Sequence, residues 1–173
     1  MTDKPATPGA QEQSAFTMLC WRNDVEEAAR LLAANPAAVH WRHNKTGDTG
    51  LTHAAALGIE DCRMAALLLD AGADINVKND AGMTALMLAV IARNGSEAHV
   101  ALLLDRGADQ AILNAEGKTA EEIARSIGRP AVAAEFDKFR FRKEQARKAQ
   151  VETLRHGTQA PVTVRKKPIK FKS

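Results

Sequence analysis

The chain has 173 residues, of which 45% are hydrophobic and 26% charged, and its formal net charge is +3. This length suits one domain of ordinary size with tails, and the apolar fraction excludes a chain that is disordered throughout. Two cysteines are too few for a disulfide-rich secreted scaffold. No apolar run approaches the roughly 18 residues of a membrane-spanning helix, and residues 1–14 lack the apolar region of a secretory signal. We therefore expect a cytoplasmic protein with reduced thiols.

The N-terminal part of the chain predicts a leader followed by a pair of helices. Residues 1–13 are predicted to be disordered. The run from Ser14 to Cys20 has the pattern of a first helix, and the run from Asp24 to Leu32 has that of a second. Asn35 and Pro36 are expected to end the second helix, because proline cannot continue it.

A motif that begins with threonine recurs along the middle of the chain. It starts at Thr49, returns at Thr84 and, in weaker form, at Thr119, each time 35 residues further on. Three glycines keep the same step and precede the threonines by two residues: Gly47, Gly82 and Gly117. A leucine triplet at residues 67–69 and a Gly-Ala-Asp sequence at residues 72–74 are also repeated 35 residues later. Independent features that share one period indicate a structural repeat.

Each repeat has the residue pattern of two helices. Met64, Leu67 and Leu68 are spaced i, i+3, i+4, which predicts an apolar stripe on one face of a helix. Gly72 follows and fits a left-handed C-cap, where a β-carbon would be costly. The turn-rich stretch after it leads to Thr84, a predicted N-cap of the next inner helix. One such pair of helices cannot bury its apolar face alone, so neighbouring pairs must stack.

These motifs resemble the ankyrin-repeat family, whose unit of about 33 residues is a β-turn and two helices around the sequence T-P-L-H-x-A. The resemblance covers roughly residues 14–139. It implies an all-α solenoid of helix-turn-helix units joined by short β-hairpin loops, with four repeats of which the outer two are caps. The chain departs from the family pattern at two positions of the motif. Proline is replaced by Gly50, Ala85 and Ala120, and histidine by Thr52, Met87 and Glu122.

The C-terminal part of the chain predicts a helix whose first part has an apolar face and whose later part is basic. After Pro130, Val132, Phe136 and Phe139 are spaced i, i+4, i+7 and are expected to pack on the last repeat. Residues 140–156 form a predicted basic helix extension, and residues 157–173 a disordered basic tail. After Asp137, 12 basic residues are opposed by two acidic ones, a net charge of +10. The preceding residues carry 12 basic and 19 acidic residues, a net charge of −7.

The histidines and cysteines form no recognisable catalytic or metal motif. The five histidines lie in different predicted elements without a His-x-x-x-His spacing. His53 replaces an apolar core position, so we expect it to be buried and hydrogen-bonded. Cys20 is expected in the core and Cys62 near an interhelix turn; a Cys–His nucleophile pair stays open, although neither cysteine has a known nucleophile context. Without a phosphate-binding glycine motif, the sequence favours a protein that is not an enzyme and needs no metal, cofactor or small-molecule substrate.

The ankyrin resemblance implies a binding surface made of the loop tips and the exposed side of the inner helices. The tip residues are Arg42, His43, Lys45, Asp48, Lys78, Asp80, Met83, Glu116 and Lys118. On the inner helices, Trp21 and Ile91 occupy equivalent positions of their repeats. Arg22 and Leu57 occupy the following position of their own repeats. Trp21, Leu57 and Ile91 are expected to form an apolar ridge along a concave face, and tryptophan is a favoured interface anchor. The alternative is that Trp21 only covers the N-terminal end of the stack.

The basic C-terminal segment has several candidate roles. Its candidate polyanion-binding residues are Lys138, Arg140, Arg142, Lys143, Arg147, Lys148, Arg165, Lys166 and Lys167. The segment has the charge to contact nucleic acid or an anionic membrane, but few aromatic residues for base stacking and no strong apolar face. Residues 165–170 also resemble a nuclear-import cluster, which would place a eukaryotic protein in the nucleus. The simplest alternative is a solvated helix with a soluble tail.

The sequence thus predicts a monomeric, non-catalytic adaptor or regulator that binds a protein partner through its loop tips and concave inner-helix face. The alternative is an adaptor associated with nucleic acid or an anionic surface, in which the basic arm holds the polyanion. Neither the period nor the motifs identify the partner, because a fold does not fix a function.

Overall fold

The computed structural model describes residues 9–58, 61–92 and 96–157. The helices within these ranges are α1 (Ala10–Trp21), α2 (Val25–Ala34), α3 (Gly50–Ala56), α4 (Arg63–Asp70), α5 (Ala85–Ile91), α6 (Ser96–Asp105), α7 (Ala120–Ser126) and α8 (Pro130–Gly157). A short 3-10 helix, Pro36–His40, lies between α2 and α3. The all-α fold predicted from the sequence is confirmed. Of the described residues, those up to Phe139 form one compact unit and those from Arg140 onward form a second.

The helices of the first unit pack as successive antiparallel pairs. The inner helices form a row, in which α1 contacts α3, α3 contacts α5, and α5 contacts α7. The outer helices pack on this row, since α2, α4 and α6 contact α1, α3 and α5 respectively. Each repeat therefore contacts its neighbours, which is the arrangement of a stacked-repeat protein.

The repeated threonines begin the inner helices, as predicted for Thr84. The side-chain oxygen of each accepts a hydrogen bond from the backbone N–H three residues later, at 3.2 Å in Thr49, 3.4 Å in Thr84 and 3.2 Å in Thr119. In two repeats the residue that replaces the family histidine completes a capping box. The side chains of Thr52 and Glu122 accept from the backbone N–H of Thr49 and Thr119, both at 2.8 Å. Thr52 and Glu122 therefore stabilise the start of their inner helices.

The loops between repeats are short hairpin turns whose two arms are joined by cross-loop hydrogen bonds. Among the described residues, the β-type pairing is a single antiparallel bridge between Arg42 and Thr49. In the next loop, the Asn79 N–H donates to the Met83 carbonyl (2.9 Å), while the Asn79 side-chain oxygen accepts from the N–H groups of Ala81 and Met83. Because the asparagine side chain takes up these backbone donors, the chain reverses without extending into strands. The short hairpin loops predicted for an ankyrin-type solenoid are therefore present.

The core consists of leucine, methionine, alanine and a few aromatic residues from both rows of helices. In the outer helix α4, Met64 and Leu68 are buried and Leu67 packs against the core, as the spacing predicts. Gly72 follows α4 with φ of +90°, and the Ala73 N–H donates to the Leu68 carbonyl at 2.9 Å. This is the left-handed cap expected there.

The C-terminal end of the stack is covered by the first turns of α8. Val132 and Phe136 are fully buried, and Phe139 packs against the core. Ile123 and Ala124 of α7 are also buried, but Ile127 is 47% exposed. Ile127 directly follows α7, and its side chain is not part of the buried end of the stack.

The first helix begins at Ala10, inside the segment expected to be a disordered leader. The residues that extend it, Ala10, Gln11 and Glu12, are good helix formers, and an acidic residue in the first turn is favoured by the helix dipole. Of the predicted leader, residues 1–8 lie outside the described residues, and of the predicted tail, so do residues 158–173.

Candidate protein-binding surface

The exposed side of the inner helices carries large apolar side chains. Trp21 is the last residue of α1 and is 46% exposed, and Ile91 is the last residue of α5 and is 44% exposed. Leu57 follows α3 and is half-buried. We call the row formed by Trp21, His53, Leu57 and Ile91 the inner-helix surface. Its members lie on, or directly after, three consecutive inner helices. Trp21 and Ile91 are two 35-residue steps apart, so they occupy equivalent positions of their repeats.

His53 lies in the middle of this surface and not in the core. Its side chain is half-buried, which corrects the expectation of a buried histidine, although the expected hydrogen bond is present. Nδ1 donates to the Thr49 carbonyl at 3.2 Å. The ring meets the Trp21 indole edge to face, with centroids 5.9 Å apart, and lies 6.0 Å from the His43 ring. Desolvation lowers the pKa of His53, with a smaller lowering from His43, against raising effects of Thr49 and Asp48.

Asp48 contributes a carboxylate beside this aromatic cluster. Its Oδ1 accepts from the side-chain amide of Asn79 (2.8 Å) and from the hydroxyl of Thr52 (3.2 Å). Burial raises the pKa of Asp48, but hydrogen bonds from Thr46, Asn79 and Thr52 and the nearby His53 together bring it below its ordinary value. The carboxylate is therefore ionised at neutral pH.

A small cavity opens where α1, α3 and the loop before α5 meet. Its volume is about 110 Å³, and it is lined by Trp21, Asp48, Thr52, His53, Ala56, Asn79 and Leu88. Sequence reasoning named Trp21 and Asp48 but missed Thr52, Asn79 and Leu88. The sequence spacing does indicate that His53 faces this side of the stack. His53 lies three residues before Ala56 and four before Leu57, and residues at these spacings share a helix face.

Several charged residues of the loop tips join one repeat to the next. The guanidinium of Arg42 donates to the carbonyl of Gly47 (3.0 Å) in its own loop and to that of Lys78 (2.8 Å) in the following loop. Arg42 also lies 3.6 Å from the carboxylate of Asp80. The ammonium of Lys78 in turn donates to the carbonyl of Leu113 (2.7 Å). These side chains, predicted to contact a partner, thus also join neighbouring repeats within the stack.

The remaining candidate tip residues are dispersed over the surface. Lys45 is exposed, and Arg22 is exposed directly after α1. Met83 is half-buried and packs against the core. Glu116 and Lys118 pair with each other at 2.9 Å. His43 joins the inner-helix surface through its ring contact with His53, and Asp48 lines the cavity beside it.

The basic side chains of α8 between Lys138 and Lys148 are exposed, and several pair along the helix. Lys138 lies 2.6 Å from Glu135, while Arg147 and Lys148 lie 2.9 and 3.7 Å from Glu144. The side chains of three further candidates are also exposed, namely Arg140, Arg142 and Lys143. The candidates Arg165, Lys166 and Lys167 lie outside the described residues.

The cysteines do not have the environment of a catalytic nucleophile. Burial raises the pKa of Cys20 to about 12. The sulfur of Cys62 lies 3.6 Å from Nδ1 of the buried His99, but burial and the neighbouring Asp61 raise the Cys62 pKa. Both thiols are therefore protonated at neutral pH, whereas the thiolate is the reactive form.

The described part of the chain contains no cluster of three or more histidine, cysteine, aspartate or glutamate side chains that could hold a metal ion. No helix in the same residues has the length and apolarity to cross a membrane.

Stacked helix pairs with left-handed caps and an exposed inner-helix row define a helical repeat protein that presents a surface for binding. The chain belongs to the ankyrin-repeat family, since the family model for ankyrin repeats (3 copies) matches residues 16–114 and 64–133. Ankyrin repeats are protein-interaction modules and not a catalytic fold.

The fold is also similar to that of a solved yeast structure. A chain in the crystal structure of the yeast ribosomal protein Rps3 in complex with its chaperone Yar1 superposes with a TM-score of 0.69 at 24% sequence identity. The match covers 76% of this chain and 95% of that chain. No curated protein matches the sequence significantly.

Proposed function

We propose that this protein is a non-catalytic adaptor that binds a segment of a protein partner across the inner-helix surface. One observation carries the proposal: the Trp21 indole is half-exposed and is held edge to face by the ring of His53. An aromatic side chain that is already positioned loses little conformational freedom on binding, and such residues are frequent energetic centres of interfaces. Ile91 extends the apolar area to the next inner helix.

The contacts of the loop tips indicate two roles for their residues, which are to join neighbouring repeats and to contact a partner. Arg42 and Lys78 are occupied by carbonyl groups of the stack, so their first contribution is to the geometry between repeats. His43 and Asp48 border the aromatic cluster and are the tip residues placed to contact a segment lying on the inner helices. Partner affinity is therefore expected to depend on Trp21 and Ile91 more than on the outermost charges.

The proposal is tested with binders obtained without knowledge of the natural partner. A random dodecapeptide library is selected on the full chain, and the affinities of enriched peptides are measured by fluorescence anisotropy for Trp21→Ala, Ile91→Ala and, as a control on the outer helix α6, Glu97→Ala. We expect the first two to weaken binding at least tenfold, as for interface anchors, and the control to have no effect. Equal affinities for all three variants, with folding intact by circular dichroism, would show that the inner-helix surface is not the binding site.

A second candidate function is the binding of a polyanion by the basic arm. The observation that favours it is the exposure of five basic side chains in the first turns of the second unit: Arg140, Arg142, Lys143, Arg147 and Lys148. Glu144 neutralises part of this charge, because it pairs with both Arg147 and Lys148. A salt titration of binding to random duplex DNA tests it, since each neutralised phosphate steepens the salt dependence.

A further inference from the structure

The carboxylate of Asp48 is a half-buried negative charge without an ion pair to lysine or arginine in the part of the chain that the structure describes. Its hydrogen-bond partners are neutral, namely the amide of Asn79 and the hydroxyl groups of Thr52 and Thr46. The imidazole of His53 interacts electrostatically with this carboxylate, but burial disfavours the charged form of the imidazole. A partly desolvated anion of this kind is stabilised strongly by an incoming cation.

The same cavity also presents aromatic surface. The indole of Trp21 and the imidazole of His53 line it together with Asp48, and the methyl groups of Ala56 and Leu88 complete its apolar part. Its volume of about 110 Å³ is well below the roughly 300 Å³ at which sites for small-molecule ligands begin. The cavity therefore has the size and composition to receive the end of a single side chain.

We propose that this cavity binds an arginine side chain of the partner polypeptide, with the guanidinium hydrogen-bonded to Asp48 and stacked against Trp21. The inference rests on the proposed function, because it assigns the chemistry of the segment that lies on the inner-helix surface. Arginine combines the planar cation that stacks on an indole with the donors that match a carboxylate. An apolar side chain would leave the carboxylate unpaired, and an acidic one would be repelled by it.

Two further features support a basic partner segment. The hydrogen bonds from Asn79 and Thr52 hold the carboxylate in place before binding, so little ordering is required when the cation enters. The residues up to Asp137 carry a net charge of −7, which attracts a basic segment over a longer distance.

The test uses peptides selected from the random dodecapeptide library on the full chain. Selection on the unmodified protein should enrich arginine at one position, and parallel selection on Asp48→Asn should not. One enriched peptide is then synthesised with arginine, lysine or citrulline at that position. Citrulline keeps the shape of arginine without its charge, and we expect it to bind about tenfold or more weakly, as for the loss of a charge-assisted hydrogen bond. Because the citrulline comparison uses the unmodified protein, it holds even if Asp48→Asn disturbs the loop.

The outcomes separate this inference from the proposed function. Enrichment without arginine, no enrichment at all, or equal affinity of the arginine, lysine and citrulline peptides overturns the arginine site. Trp21→Ala and Ile91→Ala could lower the affinity for a peptide whose binding the change from arginine to citrulline leaves unaltered. The inner-helix surface then binds protein without an arginine pocket. If neither those variants nor citrulline alters the affinity, both proposals fail.

Discussion

Gly50 faces the sulfur of Cys20 so closely that a β-carbon at position 50 would lie 2.8 Å from it. The same β-carbon would lie 3.2 Å from the ring of Phe16 and 3.3 Å from a methyl group of Leu68. Gly50 is the first residue of α3, and the equivalent first residues of α5 and α7 are alanines. The first two repeats thus pack closely at this position, and the contact leaves no room there for the proline that the family usually has.

Replacing Gly50 by alanine should destabilise the protein, although alanine is favoured over glycine within helices by roughly 1 kcal/mol. Overpacking a close core contact costs about 1–3 kcal/mol, which exceeds that gain. Urea unfolding followed by circular dichroism measures the difference. Gly9→Ala is the control, because no atom lies within 4 Å of the added carbon there. A Gly50→Ala protein as stable as its parent would show that Cys20 and Phe16 can move aside.

Truncating the equivalent leucines of two outer helices should cost similar stability. Leu68 and Leu103 are both fully buried, and removal of a buried leucine side chain costs about 2–5 kcal/mol. Thermal and urea unfolding of Leu68→Ala and Leu103→Ala measure this cost. Leu154→Ala, at a position that is 67% exposed, should change stability by less than about 0.5 kcal/mol. Melting temperatures within a degree of the parent for the first two variants would place these leucines outside the cooperative core.

His53 should make stability fall as the solution is acidified. Its pKa in the folded protein is lower than the ordinary value of 6.5, chiefly through desolvation, so the unfolded chain takes up a proton at a higher pH than the folded protein does. The folded state is therefore favoured by neutral His53 above pH 6.5, and this advantage declines as the pH falls from there through the folded-state pKa. Urea unfolding between about pH 7.5 and 5 should show a larger loss in the parent than in His53→Gln. Parallel pH profiles of the two proteins would contradict this assignment.

Deleting the residues after Arg142 should leave the repeats folded. The described side chains from Lys143 to Leu154 are exposed, apart from the half-buried Glu144, so little apolar area is lost. The deletion removes nine basic and two acidic residues, and any affinity for duplex DNA should decline with that charge. Differential scanning calorimetry and a DNA-binding titration check the two expectations. Unfolding of the shortened chain would mean that the basic segment stabilises the repeats.

The sequence by itself determined the repeat and its helices. The 35-residue period is visible in motifs that recur along the chain. The stripe of Met64, Leu67 and Leu68, the cap at Gly72 and the N-cap at Thr84 depend on residues within a few positions of one another. Local backbone geometry and side-chain spacing are sufficient to specify such features. The same reasoning extended to the C-terminal end, where Val132 and Phe136 are buried as their spacing predicts.

Only the tertiary structure decided which residues form the candidate site. Trp21 meets His53, Asn79 binds Asp48 from 31 positions away, and Arg42 reaches the Lys78 carbonyl 36 positions on. These contacts depend on how each repeat is rotated and shifted on the one before it, and that geometry results from the packing of many side chains at once. Sequence spacing identified residues that face the same side of the stack. Stacking determined that some of them bind one another and that others enclose a cavity.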